Sequence, residues 1–121
     1  MTVRRRIPRD VGRAAVRAVL ADSPDAGELA TAVRFLLEEL ASVHEGHTVE
    51  VRVPPYGAVQ AIPGPRHTRG TPPNVIETDP VTWLALATGS LGWGDAVAGA
   101  RVLASGSRAD LSEVLPLAWE A

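Results

Sequence analysis

Residues 74–107 read NVIETDPVTWLALATGSLGWGDAVAGARVLASGS, and the order of signals in this stretch decides the fold. Asp79 is a good helix N-cap, Pro80 suits the first helical position, and Gly89 is a natural helix stop. The stretch therefore predicts, in order, a strand over 74–78, a helix over 80–88, a short helix over 92–99 and a strand over 101–105.

The helix predicted over 80–88 is apolar nearly all round. One side carries Val81, Leu84 and Ala85, and another side carries Trp83, Leu86 and Ala87. A helix without a polar face has to be covered on two sides, so we expect it to lie against a sheet and against another element.

Two helices are predicted upstream. A short amphipathic helix over 10–21 carries arginines four residues apart, and Asp25 with Glu28 forms a capping-box pattern that starts a longer helix ending near Gly46. Its predicted apolar stripe is Leu29, Val33, Leu36, Leu37, Leu40 and Val43, with Glu38 and Glu39 outside it.

Alternating residues then predict a half-buried strand over 48–53, with Val49, Val51 and Val53 on one face. A second strand over 57–62 should pair with it in antiparallel fashion, and residues 66–73 are expected to add a short edge strand. Near the end of the sequence, Asp110 and Glu113 predict a closing helix that Pro116 cuts short.

The chain has 121 residues, enough for one domain, which we assign to 1–121 with residues 1–22 as a basic arm and extra helix. Twelve basic residues, all arginine, oppose fourteen acidic ones, so we expect no nucleic-acid partner. Arg4, Arg5 and Arg6 begin a local basic run that suits transient contact with an anionic membrane surface, or simply a solvated tail. No apolar run reaches the ~18 residues of a membrane span, and we expect a cytoplasmic protein.

The sequence offers little for chemistry. It has no cysteine, no serine in a nucleophile elbow and no phosphate-binding glycine motif, so no enzyme activity and no cofactor are expected. His44 and His47 fall at a helix end without a third ligand, and no metal site is assigned. Arg66 and Arg69 lie between prolines and could hold a ligand carboxylate or phosphate, the alternative being an exposed loop.

The opening stretch resembles the second half of the sterol carrier protein domain. The resemblance lies in a strand leading into a capped helix with Leu84 and Leu86, a stop at Gly89, a short helix with Val97, and a final strand ending at Gly106. Together with the long helix before VEVRVPPYGAVQ (residues 49–60), it covers roughly residues 25 to 117. The chain looks most like the short, stand-alone bacterial branch of that family.

The resemblance implies an α+β fold in which a five-stranded mixed sheet is covered on one face by helices. It also implies a cavity between helices and sheet that binds a fatty acid, an acyl-CoA or a sterol-like lipid without chemistry. By position, the residues that would border or close the cavity are Trp83, Leu86, Trp93, Val97, Leu111 and Leu115. The alternative is a filled core in a non-catalytic interaction module that docks on an enzyme or forms a homodimer. The same fold also occurs as a non-catalytic accessory domain in some actinobacterial enzymes.

Overall fold

Two helices precede the sheet in the computed structural model, which describes residues 7–21, 25–64 and 74–121. In chain order the elements are α1 (Arg9–Leu20), α2 (Ala26–Val43), β1 (Val49–Val53), β2 (Gly57–Ala61), β3 (Val75–Thr78), α3 (Pro80–Thr88), α4 (Trp93–Ala98) and β4 (Val102–Ser105). The predicted α+β class is confirmed.

The strands form a mixed sheet in the order β2-β1-β3-β4. β1 pairs antiparallel with β2 and parallel with β3, and β3 pairs antiparallel with β4. The sheet thus has four strands within the described residues, where five were predicted. The edge strand expected over 66–73 lies outside those residues.

Strand β1 separates the core from the outer face of the sheet. Val49, Val51 and Val53 are fully buried, while Glu50 and Arg52 are half-buried on the opposite side and pair with each other. The alternation predicted from the sequence is therefore confirmed. It fixes which face of the sheet meets the helices, because a strand changes face at every residue.

Helix α2 supplies the centre of the core. It begins at the predicted capping box, in which the Asp25 carboxylate accepts from the Glu28 amide at 2.7 Å and Glu28 accepts from the Asp25 amide at 3.1 Å. Leu36 and Leu40 are fully buried as predicted, but Glu39 is also buried and Val43 is 62% exposed. The stripe is thus wider at its middle than predicted and ends within the last helical turn, before Val43.

Helix α1 packs on α2 through Gly12, Ala15 and Val16. Val11 is 49% exposed, whereas Gly12 and Val16 are buried. A Cβ atom at Gly12 would lie 2.2 Å from the Phe35 ring, so only glycine lets the helix backbone approach the ring this closely.

The prediction of a closing helix that begins at Asp110 is wrong. Residues 111–115 form a turn in which the amides of Val114 and Leu115 both bond to the Leu111 carbonyl at 3.1 Å, and no α-helix follows. Asp110 caps only the Ser112 amide, at 2.7 Å. Pro116 ends the turn because its ring and missing N–H do not allow a helix to continue.

Candidate functional site

Helix α3 is positioned by its two ends. At the start, the Asp79 carboxylate accepts hydrogen bonds from the amide and the hydroxyl of Thr82, both at 2.8 Å. Partial burial by itself would raise the pKa of Asp79, but these bonds and the attraction of Arg101 hold that pKa below its ordinary value of 3.8. At the other end Gly89 adopts the left-handed conformation, with φ at 92°, and its amide bonds to the Ala85 carbonyl at 3.1 Å.

The inner side of α3 is locked into the core. Trp83 is fully buried, and its indole N–H donates to the Val33 carbonyl of α2 at 3.3 Å. Leu86 is 1% exposed and belongs to the same cluster. These contacts fill the space between α3, α2 and the sheet with side chains from the protein itself.

The structure does not bring the predicted site residues to one surface. Trp83, Leu86 and Leu111 are buried in the core cluster, and Trp93 and Leu115 pack against it half-buried. Val97 of α4 is 48% exposed. Arg66 and Arg69 lie outside the described residues. That these eight residues bind a ligand stays a prediction.

The outer side of α3 faces an open apolar groove of about 350 Å³. The groove lies where α3 runs beside the C-terminal end of α1 and the first turns of α2. Its described lining residues are Val19, Leu20, Leu29, Val81, Leu84, Ala85, Thr88 and Ser90. We call this feature the α1–α3 groove.

The α1–α3 groove exposes aliphatic side chains to solvent. Leu20 is 53% exposed and Val81 is 66% exposed. None of the described lining residues carries a charge. The two hydroxyls bond to carbonyls of α3, from Thr88 to Leu84 at 2.6 Å and from Ser90 to Ala85 at 3.4 Å, which leaves their oxygen lone pairs as weak acceptors at one end. Such a surface suits an apolar chain.

Sequence reasoning found part of this groove. Val81, Leu84 and Ala85 were grouped as one side of an apolar helix that needed cover, and in the structure that side remains open to solvent at Val81. The contribution of Val19 and Leu20 was missed. Their amphipathic spacing was visible, but nothing local indicates that α1 lies beside α3.

A second concavity, of about 270 Å³, lies at the sheet edge and has a different character. It is lined partly by Glu77, Asp79 and Arg101, of which Asp79 caps α3 and Arg101 attracts the Asp79 carboxylate. Within the described ranges no three His, Asp or Glu side chains come together as metal ligands would. Among these residues, no helix has both the length and the apolar character that crossing a membrane requires.

Comparison with known proteins identifies a family. The family model described as the bacterial SCP ortholog matches residues 25–117. Among curated proteins none matches the chain. The matched region takes in α2, the whole sheet, α3 and α4, and leaves α1 outside. Since the match covers most of the sequence, the chain belongs to the family of bacterial SCP orthologs, whose SCP-like domains generally bind lipids and typically act as carriers without catalysis.

Proposed function

We propose that this protein binds a hydrophobic ligand, such as a fatty acid, an acyl-CoA or a sterol-like lipid, and performs no chemistry on it. The observation that carries the proposal is the α1–α3 groove, with its uncharged lining and its exposed Leu20 and Val81. When an alkyl chain binds, the apolar surface of the groove is no longer in contact with water. This hydrophobic effect is the main driving force for the binding of such ligands.

The size of the groove favours a slender ligand. Its volume of about 350 Å³ lies near the lower end of the roughly 300–1,000 Å³ found for small-molecule sites. The space beneath α3 is already occupied by Trp83 and Leu86. A single alkyl chain therefore fits the proposal better than a whole acyl-CoA, whose polar portion would extend into solvent.

We propose that the protein lacks catalytic activity because of the side chains that line the described part of the groove. Its only polar side chains are the hydroxyls of Thr88 and Ser90, and each donates to a carbonyl of its own helix region. Neither has a base among the described lining residues that would activate it as a nucleophile. These features support a carrier.

A titration of the protein with dodecanoic acid, followed by calorimetry at several temperatures, tests the proposal. We expect a negative heat-capacity change, since apolar area is buried. Val81→Asp, which places a charge in the groove, should abolish the binding heat. The matched control is Leu103→Asp, because Leu103 is similarly exposed, at 70%, but lies on β4 away from the groove. No heat at any temperature, or equal losses in both variants, contradicts the proposed site.

The head group of the ligand is assigned to Arg66 and Arg69 as part of the proposal. A carboxylate finds no cation among the described groove residues, and two guanidinium groups bind carboxylates well. Replacing both arginines with alanine should weaken the binding of dodecanoic acid and leave the binding of dodecanol unchanged. An equal loss of affinity for both ligands indicates that the loop has a structural role. Unchanged affinity for both ligands shows that the two arginines do not belong to the site.

One observation favours the alternative function. The interior between helices and sheet is filled, with Trp83, Leu86 and Leu111 at 1% exposure or less. A filled core is what an interaction module needs, because such a module uses its surface and not a cavity. Native mass spectrometry of the purified protein separates the two functions. A copurified lipid supports the carrier, and a ligand-free homodimer supports the interaction module.

A further inference from the structure

The two described segments outside the family-matched region contact each other. Arg13 of α1 donates from Nε to the Trp119 carbonyl at 3.1 Å and from Nη2 to the Ala121 carbonyl. Arg17, one turn later, lies 3.5 Å from the Glu120 carboxylate, and its guanidinium is 5.9 Å from the centre of the Trp119 ring. Helix α1 and residues 118–121 are thus joined through two arginines.

The same C-terminal segment is also attached to α3. The Leu117 amide donates to the Ala87 carbonyl at 2.9 Å, near the end of α3. Leu117 and Trp119 are 8% and 7% exposed, so the segment is held by burial as well as by hydrogen bonds. Residues 117–121, which we call the C-terminal strap, therefore connect α3 to α1.

The strap connects the two helices that form opposite walls of the groove. Val19 and Leu20 of α1 lie on one side, and Val81 and Ala85 of α3 lie on the other. Helix α1 is held against α2 where Gly12 meets Phe35 and by the buried Ala15 and Val16. Val19 and Leu20 follow these contacts in the last turn of α1, which also carries Arg17.

We propose that Arg13 and Arg17 are positioning residues that act through the C-terminal strap to set the width of the α1–α3 groove, and thereby the girth of the ligand it accepts. This inference rests on the proposed lipid-binding function. Burial against α2 holds one side of α1, and the strap adds an attachment of α1 to α3, the other wall of the groove. Loosening it lets the α1 wall move away from α3 and admits bulkier ligands.

The test compares wild type with Arg13→Gln/Arg17→Gln, using dodecanoic acid as the slender probe and cholesterol as the bulky probe. We expect the preference for dodecanoic acid over cholesterol to fall by about tenfold, the size of effect that a single lost methylene contact produces in a pocket. Hydrogen exchange of the Leu117 amide should become several-fold faster, since its hydrogen bond to the Ala87 carbonyl attaches the strap to α3. Arg9→Gln, an exposed position on the same helix, is the matched control and should change neither quantity.

The outcomes are distinct. Suppose that wild type binds both probes and the double variant keeps the wild-type preference. The inference about the strap is then wrong, and the proposed function is unaffected. An unchanged hydrogen-exchange rate of the Leu117 amide also contradicts the inference about the strap. A wild-type protein that binds neither probe overturns the proposed function, and this inference with it. If the double variant does not fold, Arg13→Gln alone removes the contacts to both carbonyls and has the same expected direction.

Discussion

Gly12 is the residue on which the docking of α1 depends. Its backbone meets the fully buried ring of Phe35, and a Cβ atom there would lie 2.2 Å from two ring carbons. Because the ring is surrounded by core side chains, it cannot move aside without disturbing its neighbours. A position with no side chain thus decides which side of the helix is buried.

Gly12→Ala should therefore destabilise the protein by about 1–3 kcal/mol, the usual cost of overpacking a core. Urea unfolding measures the loss. Gly94→Ala is the matched control, because Gly94 lies in exposed helix α4 with no atom within 4 Å of the added Cβ. There the same substitution should stabilise by about 0.5 kcal/mol. Equal effects at both positions contradict the close contact with Phe35.

Asp79 makes the stability of α3 depend on pH. The pKa of its carboxyl group is lowered in the folded state, so its contribution is present above the ordinary pKa of 3.8 and is lost as the pH falls through the folded value. Asp79→Ala should cost about 1 kcal/mol at neutral pH, as N-cap removal does, with a smaller difference in acid. Asp79→Asn keeps an acceptor for the Thr82 amide and should retain most of the stability. A wild-type advantage over alanine that is constant from neutral pH into acid contradicts this role.

Helix α2 provides the clearest test of the core. Leu40→Ala should lose about 2–5 kcal/mol, because Leu40 is fully buried and its truncation leaves a cavity. Val43→Ala, three residues later on the same predicted stripe, should change stability by no more than about 0.5 kcal/mol, since Val43 is 62% exposed. A denaturant midpoint that shifts equally in both variants would mean that the stripe does extend to the end of the helix.

Elements with local signals were predictable. The starts of α2 and α3 were recognised from Asp25 with Glu28 and from Asp79 with Pro80, because a cap is a contact between residues three apart. The alternation of β1 was recognised for a similar reason. The pattern of Asp110 and Glu113 resembles a cap equally well, yet only a turn forms, since too few residues remain before Pro116 to complete a helix.

The candidate site was predictable only in its chemistry. The sequence indicated an apolar helix over 80–88 that required cover, and the structure leaves one side of it facing a groove. The other wall, made by Val19 and Leu20, depends on how α1 crosses α2, and that depends on the contact of Gly12 with Phe35. Contacts over such separations leave no periodic signal in the sequence.

Helix α1 is structurally part of the domain although it lies outside the family-matched region. Val16 is fully buried, Ala15 is 5% exposed, and the Ile7 amide donates to the Glu38 carboxylate at 3.1 Å. Removing residues 1–21 should therefore lower the free energy of unfolding by about 3 kcal/mol or more, since burial of Val16 alone contributes about 1.5–3 kcal/mol. Urea unfolding of the shortened chain measures this, and a midpoint equal to that of the full chain would show α1 to be dispensable.

The bond between Arg13 and Trp119 joins positions 106 residues apart. On a ribosome that adds 5–20 residues per second, α1 is made about 5–20 s before its partner in the strap. Phe35 follows Gly12 closely, so α1 can dock on α2 early in synthesis. Ser90, at the end of the opposite wall, is made about 1–6 s before Trp119 at the same rate. During that interval α1 is held by its contacts with α2 but not by the strap, and a lipid met by the nascent chain would meet this looser form of the site.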